Sequence, residues 1–149
     1  MNLLPEYVGR NHVYHNDALS FLRGLGSGSV DAVICDPPYG VLGGGIKWDT
    51  VVDWMVLWKE IARVLKPQCA CIITSVQPFT SYLIMSNLSW FRQEIIWEKT
   101  NHSDFLNAKY RHMRIHENVL VFSNGSTVGG SNGGTAMNYF PQMSKSEPY

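Results

Sequence analysis

Val30-Asp31-Ala32-Val33-Ile34-Cys35-Asp36-Pro37-Pro38-Tyr39 is the stretch on which the fold turns. Val30 to Cys35 is a short, nearly continuous apolar run, as expected of a strand buried inside a parallel sheet. Pro37 and Pro38 lack the N–H that a ladder requires, so the chain must leave the sheet at Asp36 and set that carboxylate at the strand's C-terminal edge.

The flanking segments extend this reading. Upstream, Val13-Tyr14-His15 reads as a short strand, and Asn16-Asp17 as a cap before a helix whose apolar face is Leu19 and Leu22 with Ala18 and Phe21 beside them. Gly24 or Gly26 supplies the stop. Downstream of a glycine-rich loop between Val41 and Asp49, Trp54, Trp58, Ile61 and Leu65 recur at helical spacing, with Lys59, Glu60 and Arg63 on the other side. Lys66-Pro67 ends that helix, and Asp49 and Asp53 are read as its caps. Cys69 to Thr74 is a second apolar strand, Pro78 opens a helix through Asn87, and Gln93 to Trp97 and Val119 to Phe122 read as two further strands. Strands alternating with helices at this spacing predict an α/β fold with right-handed crossovers, and ligands in such sheets sit beyond the strand C-termini, where Asp36 lies.

Asp36-Pro37-Pro38-Tyr39 at a strand end resembles the motif of the amino-group DNA methyltransferases, in the permuted order of that family. Asn16-Asp17-Ala18-Leu19 precedes it, Trp48-Asp49 follows it, and Arg63-Val64-Leu65-Lys66-Pro67 closes the next helix. Ile96-Trp97-Glu98-Lys99-Thr100-Asn101 and His116-Glu117-Asn118-Val119-Leu120 come in family order. The likeness covers residues 12 to 123. It implies a partial Rossmann-like methyltransferase sheet, mostly parallel with one antiparallel strand near the C-terminal part and helices on both faces. It implies S-adenosylmethionine as cofactor, DNA as partner, and catalytic roles for Asp36, Pro37, Pro38 and Tyr39, with Asp36 and Asp17 also facing the cofactor. Aspartate at the head of the motif is, by the same resemblance, the pattern of adenine-N6 modification in restriction–modification or phage systems.

The chemistry asks for these residue types. The lone pair of an exocyclic amine is delocalised into its ring, so the nitrogen is a poor nucleophile. A carboxylate and a backbone carbonyl that both accept from its N–H groups draw it towards tetrahedral geometry and aim the lone pair at an electrophilic methyl. Asp36 and the Pro37 carbonyl fit this task, the prolines stiffen the turn, and Tyr39 would stack on a base taken out of the duplex. Plainer readings stand beside these: an Asx-turn for Asp36, a core aromatic for Tyr39, a simple helix cap for Asp17.

Charge adds a second signal. Twelve Lys+Arg balance 12 Asp+Glu over 149 residues, but residues 1–98 hold 7 basic and 9 acidic side chains, and residues 99–149 hold 5 and 3. Lys99, Lys109, Arg111 and Arg114, with His102, His112 and His116 interleaved, make a window suited to phosphates, as DNA-binding residues or as no more than a solvated basic loop. Three cysteines, Cys35, Cys69 and Cys71, give neither a disulfide framework nor metal-ligand spacing, so the thiols are expected reduced and no metal is expected. Gly43-Gly44-Gly45 and Gly129 to Gly134 lack the spacing of a dinucleotide loop. With no apolar run near the roughly 18 residues of a span and no signal-like order in Met1 to Arg10, no membrane is expected and the chain reads as cytoplasmic.

Two regions are expected: a partial catalytic domain over 1–123, and over 124–149 a mobile linker rich in Gly, Ser and Asn that leads into a target-recognition region. The family's Phe-x-Gly-x-Gly loop, which holds the methionine end of the cofactor, is not found in the chain. The cofactor site is therefore expected to be incomplete, the chain inactive alone, and the sheet edge open to a second chain or to self-association. The alternative is a non-catalytic remnant that acts as a nucleic-acid-binding or assembly module.

Overall fold

The computed structural model describes residues 12–42, 46–50, 52–103, 105–128 and 135–142. The expectations for Met1 to Arg10, Gly43 to Gly45 and Gly129 to Gly134 lie outside them. The elements run α1 (Ala18–Gly24), β1 (Val30–Cys35), α2 (Trp54–Val64), β2 (Leu65–Ser75), α3 (Phe79–Ser86), β3 (Phe91–Ser103) and β4 (Arg114–Phe122), with one turn of 3-10 helix at Phe105–Asn107.

The strand order is β1-β2-β4-β3. β1 and β2 are parallel, joined through α2, while β4 is antiparallel to both β2 and β3. Three strands therefore share one direction and β4 opposes them, which is the mostly parallel sheet with one antiparallel strand that the sequence implied. Register places Val33 beside Cys71 and Cys35 beside Ile73; Cys71 in turn faces Phe122, and Ile73 faces Leu120. That row forms one face of the sheet and supplies the floor of the core.

The stripe of α2 fills the space above it. Trp54, Trp58 and Ile61 are buried, joined by Phe79 and Leu83 from α3, with Leu22 of α1 packed alongside. Trp58 meets Phe122 at 4.8 Å between ring centroids, and Trp54 meets Phe79 at 6.0 Å. Burying such side chains contributes about 1.5–3 kcal/mol each, so this one cluster is the main source of cohesion. All three helices contribute to it. On the other side of β1, Ile34 is 78% exposed.

Local chemistry explains the helix boundaries. Asp53 Oδ1 accepts from the backbone N–H of Met55 and Val56, the cap expected of it. Asp17 Oδ1 accepts from Ser20 N–H at the start of α1. Arg63 ties the two helices together, its guanidinium donating to the carbonyls of Leu22 and Leu25 at 2.7 Å each and to Glu60. Both acceptors lie at the C-terminal end of α1: the Leu22 carbonyl also takes the Leu25 N–H, whereas the Leu25 carbonyl lies past the helix's own ladder.

The strand expected at Val13-Tyr14-His15 is not formed. Those residues have no neighbouring strand among the described residues, and three residues bury too little to persist alone; Val13 is almost wholly exposed. Tyr14 instead packs on Phe21 of α1, ring centroids 5.1 Å apart. β3 and β4 run longer than expected, over 13 and 9 residues, because their polar ends pair with each other as a hairpin beyond the core. Past β4 the chain folds back: Ser126 bridges Ala136, and Asn138 N–H donates to the Gln68 carbonyl.

Candidate active site

Asp36 leaves β1 where the sheet ends, and Pro37 behind it is buried. The parallel register that sets Cys35 beside Ile73 brings the next residue of β2, Thr74, to the carboxylate. Thr74 Oγ1 donates to Asp36 Oδ1 at 2.6 Å, and the Tyr39 hydroxyl donates to the same oxygen at 2.6 Å while lying 2.9 Å from Thr74 Oγ1. Both hydroxyls thus engage Oδ1, and among the described residues Oδ2 receives no hydrogen bond. The Thr74 and Tyr39 hydrogen bonds, helped by the Lys99 charge, hold Asp36 below the usual carboxylate range against a small opposing effect of burial. It is an anion at neutral pH. Burial and the adjacent Asp36 push the Tyr39 phenol in the opposite direction, so it stays protonated and remains a donor.

The turn after the motif is held by Asp49. Its Oδ1 accepts from Gly40 N–H at 2.8 Å and its Oδ2 from Leu42 N–H at 2.7 Å, and these backbone donors lower its pKa. Gly40 sits at φ 69°, a left-handed conformation that favours glycine. Asp49 was expected to cap α2; two N–H groups of the turn after the motif claim it instead, and Asp53 alone caps the helix.

A cavity of about 480 Å³ opens in front of these groups. Asp36, Pro37, Pro38 and Tyr39 line it together with Trp48, Asp49, Val76, Lys99, Arg114 and Glu117. Lys99 from β3 and Glu117 from β4 form an ion pair there, partly shielded from solvent. Tyr39 is half-buried and stacks on Phe79, ring centroids 5.4 Å apart, and Trp48, in the same lining, is 70% exposed.

The structure thus gathers the four motif residues with Lys99 and Arg114. It does not bring the other expected site residues there. Asp17 caps α1 and lies outside the cavity lining, and Lys109 and Arg111 belong to the exposed loop between β3 and β4. Sequence reasoning missed Thr74, which looks like any strand residue until the β1–β2 register is known, and Glu117, whose value lies in its pairing with Lys99. Among the described residues no three His, Cys, Asp or Glu side chains are grouped to hold a metal, and none of the helices is long and apolar enough to cross a membrane.

An acidic carboxylate at a strand end, preorganised by two hydroxyls and followed by a rigid carbonyl-bearing turn, is an acceptor pair suited to an amine. A family model described as DNA methylase, covering N6 and N4 methyltransferases, matches residues 30–148. The chain belongs to the DNA methylase family. Within that family it is similar to the DNA adenine methyltransferase YhdJ of Escherichia coli strain K12, at 30% identity over 119 residues, which are 73% of this chain and 40% of that protein. The fold is similar to that of the M1.HpyAVI–SAM complex, with a TM-score of 0.56, 22% identity, and coverage of 91% of this chain and 60% of the other. It is also similar to the cytosine-N4-specific PvuII DNA methyltransferase, with a TM-score of 0.55, 15% identity, and coverage of 74% and 48%. This methylase chain spans about half the length of the relatives it matches.

Proposed function

We propose that the chain carries the base-accepting side of an S-adenosylmethionine-dependent DNA adenine-N6 methyltransferase. The observation that carries the proposal is the Asp36 carboxylate in the cavity lining, with Oδ1 accepting from Thr74 and Tyr39 and Oδ2 without a hydrogen bond among the described residues. Asp36 Oδ2 accepts from one N–H of the flipped base's amine and the Pro37 carbonyl from the other, which turns the nitrogen lone pair towards the methyl donor. Because Asp36 is held anionic, it is a strong hydrogen-bond acceptor and a weak proton acceptor, so its first task is orientation. Tyr39 and Trp48 wall the space in which a planar base would lie.

S-adenosylmethionine, when bound, supplies a methyl group on a cationic sulfur. The cavity fits such a group on this side, since Asp36, Asp49 and Glu117 place carboxylates around the space. Asp17 keeps a second oxygen for the cofactor's adenine, as the family resemblance implies, whereas no described residue is assigned to its methionine end. Lys99, Lys109, Arg111 and Arg114 would face DNA phosphates. The open outer edge of β1 is where a second chain would extend the sheet, in the cytoplasm. Adenine is favoured over cytosine by the aspartate that heads the motif and by the name of the YhdJ relative.

Calorimetric titration with S-adenosylmethionine and transfer of a labelled methyl to unmethylated DNA test this reading, with the chain alone and mixed with any co-encoded chain. The expected label is N6-methyladenine, lost in Asp36→Ala. N4-methylcytosine would overturn the choice of base. Failure of every mixture both to bind the cofactor and to methylate DNA would overturn the proposal.

A further inference from the structure

The loop between β3 and β4 carries an unusual combination of side chains for a solvent-facing turn. Phe105, Leu106 and Tyr110 are 72%, 78% and 86% exposed within six residues of one another. Loops of soluble domains rarely display such a group without something to cover it. The segment is braced rather than loose: Phe105 and Leu106 sit on one turn of 3-10 helix, and Ala108, Tyr110 and Arg111 donate their N–H groups to the Phe105 and Asn107 carbonyls.

Two observations say what covers it. The first is position. β3 runs in the same direction as β1, so the loop after β3 lies at the end of the sheet where Asp36 leaves β1. Lys99 and Arg114, which flank the loop on either side, line the Asp36 cavity. The second is charge. From Lys99 to His116 the chain has four Lys and Arg and a single acidic residue, Asp104. An apolar tip on a basic stem beside a base-accepting cavity complements a duplex, whose phosphates attract the stem and whose base stack takes the tip.

We propose that this loop is a wedge: Phe105, Leu106 and Tyr110 enter the DNA stack beside the base presented to Asp36 and fill the gap that the base leaves. The proposal rests on the reading of the cavity as a DNA-base site. It adds the residues that hold the duplex open. Filling the vacated position offsets the cost of unstacking, which a pocket for the extruded base meets only in part.

The test compares the affinity of the 149-residue chain for a fluorescein-labelled duplex with its affinity for the same duplex carrying one abasic site, where the gap already exists. Wild type is expected to bind the abasic duplex about tenfold more tightly, since part of the unstacking cost has been removed. In Phe105→Ser/Leu106→Ser/Tyr110→Ser the preference should fall to about one while the affinity for intact duplex stays within about twofold, as contacts to phosphate are sequence-independent and remain. Lys109→Ala should weaken both duplexes equally and reduce the salt slope by about one. All three wedge residues are exposed, so folding of the triple variant is checked by its unchanged thermal transition. A triple variant that keeps the preference, or a wild type that has none, overturns the wedge and leaves the methyltransfer proposal to its own assay. A wild type that binds no DNA overturns the wedge in this chain, and the methyltransfer proposal is then decided by its own assay with the mixtures. Self-association of wild type that the triple variant abolishes, with no change in DNA preference, assigns the patch to a second copy and overturns the wedge.

Discussion

Replacing Thr74 by valine removes one hydroxyl from the Asp36 carboxylate while keeping the shape and β-branching of the side chain. The Thr74 hydrogen bond, 2.6 Å long, is the main cause holding Asp36 below the usual carboxylate range. A hydrogen bond to a charged group contributes about 1.5–3 kcal/mol when dry. Asp36 is exposed, so solvent screens the interaction and about 1 kcal/mol is the appropriate magnitude. Its loss raises the titration midpoint of Asp36. Tyr39 still donates in the variant, and Lys99 still acts at a distance, so the midpoint rises without reaching that of an unstructured aspartate. The sign in stability follows from linkage. A carboxyl whose folded pKa is depressed adds stability above its unfolded pKa, and that contribution is lost as the pH falls through the folded value. The variant should therefore be less stable than wild type by about 1 kcal/mol at neutral pH, and the difference should shrink to nothing in acid. The assay is an NMR titration of the carboxyl carbon in ¹³C-aspartate-labelled protein, paired with urea denaturation at neutral and acid pH. A midpoint in the valine variant equal to or below that of wild type would refute the reasoning, since the hydroxyl would then not be donating to the anion.

Other parts of the molecule give equally direct expectations. Phe122 is fully buried between Trp58 and Phe91, so Phe122→Ala should cost about 3–5 kcal/mol in urea denaturation, and a loss under about 1 kcal/mol would mean the cluster repacks. Arg63→Ala removes the donor to the Leu25 carbonyl and the second donor to the Leu22 carbonyl and should lower stability by about 2 kcal/mol, or Tm by about 4–8 °C; an unchanged Tm would show that water replaces the guanidinium without loss. Burial pushes the Cys71 thiol up to about 12. It should resist Ellman's reagent at pH 8 in the folded protein and react on unfolding, and folding stability should decline as the pH rises past the ordinary thiol range, because the unfolded thiol ionises first. Rapid labelling of native Cys71 would contradict its placement in the core.

The readable parts of this sequence are those in which one element carries its own signal. Val30 to Cys35 and the two prolines after it announce a strand and its end, and Trp54, Trp58 and Ile61 announce a helix face, because both patterns follow from local periodicity. The hairpin ends of β3 and β4 escape that reading. Glu98 to Ser103 is polar throughout and Arg114 to Glu117 is polar but for Ile115, and only their mutual register makes them strands. The same limit applies to the site. The motif was legible as a unit, but Thr74 lies 38 residues from Asp36 along the chain and meets it only through the β1–β2 register. Lys99, Lys109, Arg111 and Arg114 look like one basic group on paper, yet the hairpin divides them, two at the cavity and two on the loop. Asp49 lost its expected capping role to Gly40 and Leu42, because the turn after Tyr39 exposes N–H groups that no periodicity reveals.

The pairing of β3 with β4 is regular from Gln93 to Glu98, breaks after Glu98, and resumes at Ser103 with Arg114. Lys99 lies just past the last regular pair, and Glu117 sits opposite Trp97 within it. Chain length is thus tightly constrained below that point, since a one-residue slip would turn Lys99 and Glu117 away from Asp36. Between Ser103 and Arg114 it is not. Residues added or removed there change the reach of the loop and leave the ion pair where it is. The hairpin separates a segment free to vary in length from a base whose length is fixed, so what the loop touches can change without disturbing the ion pair beside Asp36.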